Sequence, residues 1–232
     1  MKIALLGYGK MGQVIERIAL ERGHDVVLKK SIDDPYDGFE HVEVAIDFSA
    51  PSAAVEHITK CLYNNIPVVS GTTGWLEQYK DMVSLCQSKN GSFLYSSNFS
   101  LGVNVFFELN SYLAKLMQNL KQYNVSMQEV HHTQKLDAPS GTAITLANGI
   151  IEHSSYDKWT LDQPKQNEIL IDVQRIDNTP GTHSIFYDSD IDQIEIKHTA
   201  HSREGFALGA VIAAEWLIDK KGIYSMKNVL GI

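Results

Sequence analysis

The chain has 232 residues, 44% of them hydrophobic and 21% charged, which suits a folded chain of one domain or two small ones and argues against global disorder. Lys and Arg number 20 against 28 Asp and Glu, and the resulting charge of −8 argues against a dedicated nucleic-acid binder, which needs a basic face. Two cysteines, Cys61 and Cys86, lack the spacing of a zinc motif or a disulfide framework, and no apolar run approaches the ~18–20 residues of a membrane span, so a reduced cytoplasmic setting with no membrane partner is expected.

Residues 2–6 predict a buried strand, and Gly7 and Gly9 end this apolar start without the cleavage site of a secretory signal. A helix over 11–22 is closed by Gly23. Strands follow over 25–28 and 43–48, a helix opens at Pro51, and a strand over 67–70, a helix over 75–88 and a strand over 92–96 complete the series. Short, nearly all-apolar strands alternating with helices imply a parallel sheet covered on both faces and wound by right-handed crossovers. The pattern changes near Asn98. Phe106, Leu109, Leu113, Leu116, Met117 and Leu120 lie at helical spacing. Runs with a period of two then follow at 123–130, 169–174 and 194–201, as strands with one packed and one polar face. The stretch 153–166 is the most polar and reads as loop. A helix over 206–218 is apolar almost all round, so it is placed back against the first sheet. The expected fold class is α/β: a Rossmann-type doubly wound parallel sheet from residues 1–100 and 205–232, plus a second α+β domain with an open mixed sheet from 101–204.

Gly7, Tyr8, Gly9, Lys10, Met11 and Gly12 form a G-x-G-x-x-G between a strand and a helix. Gly7 allows the tight turn, Gly9 lets backbone approach a pyrophosphate, and Gly12 lets helix and strand pack closely. The helix start adds free N–H groups and the positive end of its dipole. A glycine-bearing turn with no ligand has the same spacing. After the second strand, where NAD binders place an acidic residue, the chain reads Lys29, Lys30 and Ser31, with Asp33 and Asp34 later. Two lysines there suit a 2′-phosphate, and a solvated lysine pair reads equally well. Gly71, Thr72 and Thr73 follow the fourth strand, and Ser96, Ser97, Asn98 and Phe99 the fifth. Ligands in open α/β sheets sit beyond such strand ends, though turn chemistry alone selects similar residues.

The segment from Glu129 through His131, His132 and Lys135 to Ser140, Gly141 and Thr142 runs from a strand end into a helix start. Adjacent histidines on a strand face opposite sides. Histidine donates a proton near neutral pH, lysine supplies positive charge, and a helix N-terminus holds a carboxylate. These parts suit a small carboxylate-bearing substrate. As a metal site the pair lacks a well-spaced third ligand, so no metal is expected.

The ordered set of these motifs, together with Ile46, Asp47, Phe48 and Ser49 at the third strand end, Ser97 to Asn104 at the entry to the second domain, and Ser202, Arg203 and Phe206 to Ala210 at the return helix, resembles the 4-hydroxy-tetrahydrodipicolinate reductase (dihydrodipicolinate reductase) family over most of the chain. The resemblance implies NADPH- or NADH-dependent reduction of a cyclic imine dicarboxylate in diaminopimelate and lysine biosynthesis. It implies His131 as proton donor and acceptor and Lys135 as second proton donor and substrate contact. It implies substrate binding by His132, Gly141 and Thr142. It implies nucleotide binding by residues 7–12, Lys29, Gly71, Thr72, Thr73 and Ser96 to Phe99, a contribution of Arg203 to substrate or hinge, and a homotetramer. The chain departs from the family's usual acidic residue near Lys29 and from its turn at 176–183. Other readings are a nucleotide sensor without turnover, a related dehydrogenase of aspartate or homoserine type, and a metal enzyme built on His131, His132, His198 and His201. Cofactor consumption, substrate profiling and chelator sensitivity separate them.

Overall fold

The computed structural model describes residues 1–32, 34–202 and 204–232. Asp33 and Arg203, both singled out in the sequence, lie outside the described residues. The first stretch contains β1 (Lys2–Leu6), α1 (Lys10–Glu21), β2 (Asp25–Lys30), β3 (Val44–Asp47), α2 (Pro51–Tyr63), β4 (Val68–Ser70), α3 (Tyr79–Ser88) and β5 (Ser92–Tyr95). Then come α4 (Leu101–Met117), β6 (Asn124–His131), α5 (Gly141–Ile151), β7 (Lys158–Thr160), β8 (Glu168–Arg175), β9 (Gly181–Asp188) and β10 (Gln193–Ala200). The chain closes with α6 (Glu204–Leu217), β11 (Gly222–Tyr224) and α7 (Met226–Leu230).

The chain divides into two compact units, one of Met1–Leu101 with Glu204–Ile232 and one of Gly102–Arg203. In the first, six strands among the described residues form a parallel sheet in the order β11-β5-β4-β3-β1-β2. Alternate residues of β1 show why its sequence is apolar throughout. Ile3 and Leu5 pack with Ile15 and Ile18 of α1 and Val211 and Ala214 of α6. Ala4 and Leu6 pack on the other face with Ile58 and Leu62 of α2. A sheet buried on both faces removes the polar alternation that a one-sided sheet would need. The near-continuous apolar run of α6 has the same cause: it carries seven buried residues, and Gly209 lies so close to the chain at Phe99 that an added Cβ would meet the Phe99 carbonyl oxygen at 1.8 Å.

In the second unit five strands among the described residues run in the order β10-β9-β6-β8-β7. β6 pairs parallel with β8 and antiparallel with β9, so the sheet is mixed. Val125, Met127, Ile169, Ile171, Ile185 and Tyr187 turn one face toward Phe106 and Ala114 of α4 and Leu146 and Ile150 of α5. Asn110 Nδ2 donates to the Leu146 carbonyl at 2.9 Å and joins the two helices.

Several elements differ from the sequence reading. The helix expected to reach Leu120 begins at Leu101 and ends at Met117. β7 lies inside the stretch read as loop, because three residues pair with β8 however polar their surroundings. β9 was not expected: it is central, with buried polar residues His183 and Ser184 among its apolar ones, so no period of two stands out. The apolar side of β10 is only partly covered, and Ile194 remains exposed at 36%.

Candidate active site

The glycine turn is shaped by sterics. Gly7 has φ +100°, and an added Cβ would sit 2.2 Å from the Phe48 carbonyl oxygen. A Cβ on Gly12 would meet the Gly7 carbonyl oxygen at 2.4 Å. A Cβ on Gly9 would meet nothing within 4 Å. The first and third glycines therefore serve the fold, and the second leaves open space. Gly9 caps α1 without any side-chain hydrogen bond, and the first turn of α1 holds no acidic residue, so the helix start offers its N–H groups to an anion. Gly7 and Tyr8 anchor the turn by donating backbone N–H groups to the Lys30 carbonyl at 2.9 and 3.1 Å.

The two lysines after β2 have different surroundings. Lys29 stays at the surface, its ammonium bonded to Glu16 and placed over the Tyr8 ring at 5.1 Å, and the Glu16 bond raises its pKa. Lys30 is buried and donates to the carbonyls of Ser31 and Ile32 at 2.9 and 3.0 Å. The expectation of two lysines meeting a 2′-phosphate is thereby reduced to one, because Lys30 is turned inward and committed to backbone.

Beneath the strand ends lies a residue whose part the sequence reading missed. Asp47, the last residue of β3, is completely buried and accepts hydrogen bonds from His57 Nδ1 (2.9 Å), Ser49 Oγ (2.6 Å), Ser70 Oγ (2.8 Å) and Thr72 Oγ1 (2.9 Å). A buried carboxylate persists only with such partners. Thr72 also accepts the Ser49 N–H at 2.8 Å, so its side chain faces inward while Thr73 is exposed. An added Cβ on Gly71 would meet the Phe48 ring at 2.3 Å. At the next strand end, Ser96 Oγ donates to the Asn98 carbonyl at 2.7 Å and Ser97 is exposed. Asn98 is buried, and its Oδ1 accepts the Ser100 N–H at 2.9 Å. The Phe99 ring sits in the core beside Phe48, with centroids 5.5 Å apart. Its side chain belongs to the packing of this unit.

The second unit holds the titratable cluster. The register of β6 puts Val125, Met127, Glu129 and His131 on the packed face, so an acid and an imidazole continue an apolar row. Pairing places His183 of β9 opposite Glu129 and Arg175 of β8 beside His131. Directly paired residues share a face, which is why Arg175 and His183 join Glu129 and His131 across three strands. Glu129 is fully buried. Its Oε2 accepts the Ser140 N–H at 3.0 Å and its Oε1 accepts from Arg175 Nη2 at 3.2 Å. His131 Nδ1 lies 3.9 Å from Glu129 Oε1, and His183 Nε2 3.7 Å from Oε2 and 3.1 Å from Ser140 Oγ. The two imidazole rings meet edge to face at 5.1 Å. Burial holds the His131 pKa below its usual value; Glu129 pulls it up, while Lys135 and Arg175 push it down. His183 is driven further, down to about 4, by burial first and then by His131.

The loop after β6 carries the other expected residues. His132 is half-buried and directly follows the strand. Lys135 Nζ donates to both carboxylate oxygens of Asp137 at 2.8 and 2.7 Å, which lowers the Asp137 pKa. Arg175 closes the loop by donating to the carbonyls of Lys135 (3.2 Å) and Asp137 (2.7 Å). Ser140 caps α5 by accepting the Ala143 N–H at 3.1 Å. Gly141 and Thr142 begin the helix. Gly141 is exposed with no atom within 4 Å of an added Cβ, and no acidic residue lies in the first turn. A cavity of about 680 Å³ lies elsewhere in this unit, toward the start of β6 among Asn124, Tyr156 and Tyr187.

Of the four histidines considered as metal ligands, only His131 belongs to a grouping of ligand type among the described residues; its companions are Glu129 and His183. Arg175 and Ser140 already occupy the Glu129 oxygens, and a cation beside Arg175 and Lys135 is electrostatically disfavoured. His198 lies against Phe106 with ring centroids 5.9 Å apart.

Residues 1–99 match the family model described as dihydrodipicolinate reductase, N-terminus, and residues 102–230 the one described as dihydrodipicolinate reductase, C-terminus. A 4-hydroxy-tetrahydrodipicolinate reductase of Christiangramia forsetii is 56% identical, covering 99% of this chain and 98% of that protein. One from Methanoregula boonei is 33% identical, covering 100% of this chain and 98% of its own. In fold, the chain is similar to a dipicolinate-bound dihydrodipicolinate reductase from Paenisporosarcina sp. TG-14, with a TM-score of 0.80 at 23% identity and 98% of both chains covered. Matched in both halves and along its whole length, the chain belongs to the dihydrodipicolinate reductase family.

Proposed function

We propose that this chain reduces 4-hydroxy-tetrahydrodipicolinate to tetrahydrodipicolinate with NADPH or NADH, a step of diaminopimelate and lysine biosynthesis. The observation that carries the reading is the family match across both units. The first unit fits the nucleotide: the open face of Gly9 and the uncapped start of α1 form a cradle that a Cβ or an acidic cap would spoil. Residues 7–12 would hold the pyrophosphate, with residues 71–73 and 96–98 at the neighbouring strand ends. Lys29 is the lysine placed for a 2′-phosphate. The nucleotide, when bound, supplies a hydride.

The remaining chemistry falls to side chains of the second unit. The substrate loses its ring hydroxyl as water before reduction, and the electron pair that then arrives leaves negative charge on the conjugated ring system. His131 delivers the neutralising proton. Lys135 supports the developing charge with its ammonium and serves as second proton donor. The N–H groups of Gly141 and Thr142 hold a substrate carboxylate at the positive end of α5, with His132 beside it. In this arrangement a substrate carboxylate competes with Asp137 for Lys135. Dipicolinate, bound in the Paenisporosarcina protein, is a planar dicarboxylate and is expected to compete with substrate here.

The test is a coupled assay with synthase-generated substrate and each nucleotide in turn, following the loss of reduced-nicotinamide absorbance. Consumption that requires the cyclic substrate supports the reading; no consumption with either nucleotide overturns it. Assembly as a homotetramer belongs to the same proposal, and sedimentation at four times 25.9 kDa checks it. The reading also places the enzyme in the cytoplasm, which cell fractionation checks. Among the described residues no helix is long and apolar enough to cross a membrane.

A further inference from the structure

The role given above to His131 leaves a physical problem. An imidazole that must carry a proton sits in a site that disfavours charge. His131 is 7% exposed, and its Nδ1 is enclosed with no hydrogen-bond partner. Cationic groups approach from two sides, Arg175 on β8 and Lys135 in the loop, and His183 stands edge-on from β9. Two anions face it, Asp137 from the loop and Glu129 from its own strand. Asp137 is exposed and bonded at both oxygens to Lys135, so its field at His131 is largely compensated. Glu129 is the buried anion, and its Oε1 lies 3.9 Å from the unpartnered Nδ1.

The geometry assigns Glu129 as the positioning residue that makes His131 an effective proton donor: its carboxylate faces Nδ1, sustains the imidazolium, and leaves Nε2 to face the reaction. The inference rests on the assignment of proton transfer to His131. The other edge of the ring is kept clear by a glycine, since a Cβ on Gly181 would come within 3.0 Å of His131 Nε2. Proton transfer breaks the Nε2–H bond and forms a bond from that proton to the reduced substrate. The ring ends neutral, Glu129 remains a carboxylate throughout, and solvent restores the proton. Glu129 also accepts the Ser140 N–H and pairs with Arg175, which grips the carbonyls of Lys135 and Asp137. One carboxylate thus sets the charge of the donor and holds the loop that carries Lys135, directly at Ser140 and through Arg175 at Lys135 and Asp137.

The pH dependence of kcat separates this role from simple structural support. The alkaline limb, above which His131 loses its proton, moves when the charges around it change. Glu129→Gln is expected to move the limb about one pH unit toward acid, and so to lower turnover on its alkaline side about tenfold, with the nucleotide KM changed less than about twofold. Arg175→Gln removes a repelling cation and frees the carboxylate, so the limb moves toward alkali. Glu129→Asp keeps the charge and restores most of the limb position. Movement in opposite directions supports the inference, because general loosening of the site would not produce opposite signs. A folded Glu129→Gln enzyme with an unmoved limb overturns it, as does movement of both variants in the same direction. If Glu129→Gln fails to fold, Glu129→Asp decides: a partial acid shift, as the shorter carboxylate withdraws from Nδ1, supports the inference, and no shift or an alkaline one overturns it. His131→Gln with near-normal turnover overturns the underlying assignment, whereas an inactive His131→Gln beside an unmoved Glu129→Gln limb overturns this inference alone.

Discussion

The turn at Gly7 to Gly12 and the pocket around Glu129 are built from opposite materials. The turn works by leaving atoms out: Gly7 has a positive φ and a close carbonyl, Gly12 has a second close carbonyl, and Gly9 leaves an open position where α1 starts. The pocket works by putting charge in, with a buried acid, two buried imidazoles and a guanidinium that shares the acid. In the proposed function the first arrangement recognises an anion through backbone and tolerates little change in shape, and the second moves a proton and tolerates little change in charge. Substitutions that alter shape without charge, or charge without shape, therefore act on different units.

The largest effects are expected where chemistry is removed and shape is kept. His131→Gln and Lys135→Ala should each lower kcat on the order of a hundredfold or more while nucleotide Kd stays near wild type. Steady-state kinetics and fluorescence titration with NADPH check this. Loss of nucleotide binding in either variant would join the two regions that the comparison separates.

Shape comes next. Gly7→Ala would strain a left-handed φ and press a Cβ into the Phe48 carbonyl, so it should destabilise the chain by about 2–3 kcal/mol. Gly9→Ala meets no atom of the chain. It should leave thermal unfolding unchanged and weaken nucleotide binding about tenfold or more, because only the ligand would feel the added methyl. A Gly9→Ala protein that binds NADPH normally would remove the cradle from the proposal.

These two regions were unequally legible in the sequence. The glycine turn shows in its spacing because all three glycines fall between one strand and one helix, Gly7 at a positive φ, Gly12 against the Gly7 carbonyl and Gly9 beside open space. The buried strands β1, β3, β4 and β5 beside it show as short apolar runs, since both faces of their sheet are covered. The pocket was only half visible. His131 and Lys135 stand in one short segment, but Arg175 and His183 join them only through the pairing of β8 and β9 with β6. One signal was present: Glu129 and His131 fall on the same parity as Val125 and Met127, so an ionisable pair had to sit on the packed face. Asp47 gave a similar sign, an acid ending the fully buried strand β3. Its four donors come from two elements, α2 and β4, and from the loops that follow β3 and β4, which local pattern does not reveal.

The pH dependence of stability near pH 6 sharpens the contrast, since the histidines with depressed pKa lie in the second unit. His183 is held neutral in the fold, its pKa down from 6.5 to about 4. Below pH 6.5 the unfolded chain binds a proton that the folded chain refuses, so stability present above pH 6.5 is lost as the pH falls toward 4. Between pH 6.5 and 5 the loss from this group should be about 2 kcal/mol, with the depressed pKa of His131 adding in the same direction. Urea unfolding at the two pH values checks it. In His183→Gln the acid loss should shrink, and an unchanged loss would place the titrating group elsewhere.

The smallest effect asks whether the first unit uses charge at all. Lys29 is bonded to Glu16 and lies over Tyr8, with its side chain 43% exposed, so the ion pair contributes at most about 1 kcal/mol to stability in water and salt. Lys29→Ala should leave unfolding nearly unchanged. Its effect should show in nucleotide choice: NADPH affinity falls a few-fold at low salt, NADH affinity stays, and the difference fades as ionic strength rises. Lys30→Ala should behave differently, because that buried ammonium serves the backbone of Ser31 and Ile32; it should lower stability without changing the preference between nucleotides. If the enzyme strongly prefers NADH and Lys29→Ala does not alter that preference, the 2′-phosphate role is removed. The turn would then recognise its ligand through glycine and backbone alone, and the division between a shape-built region and a charge-built region would be complete.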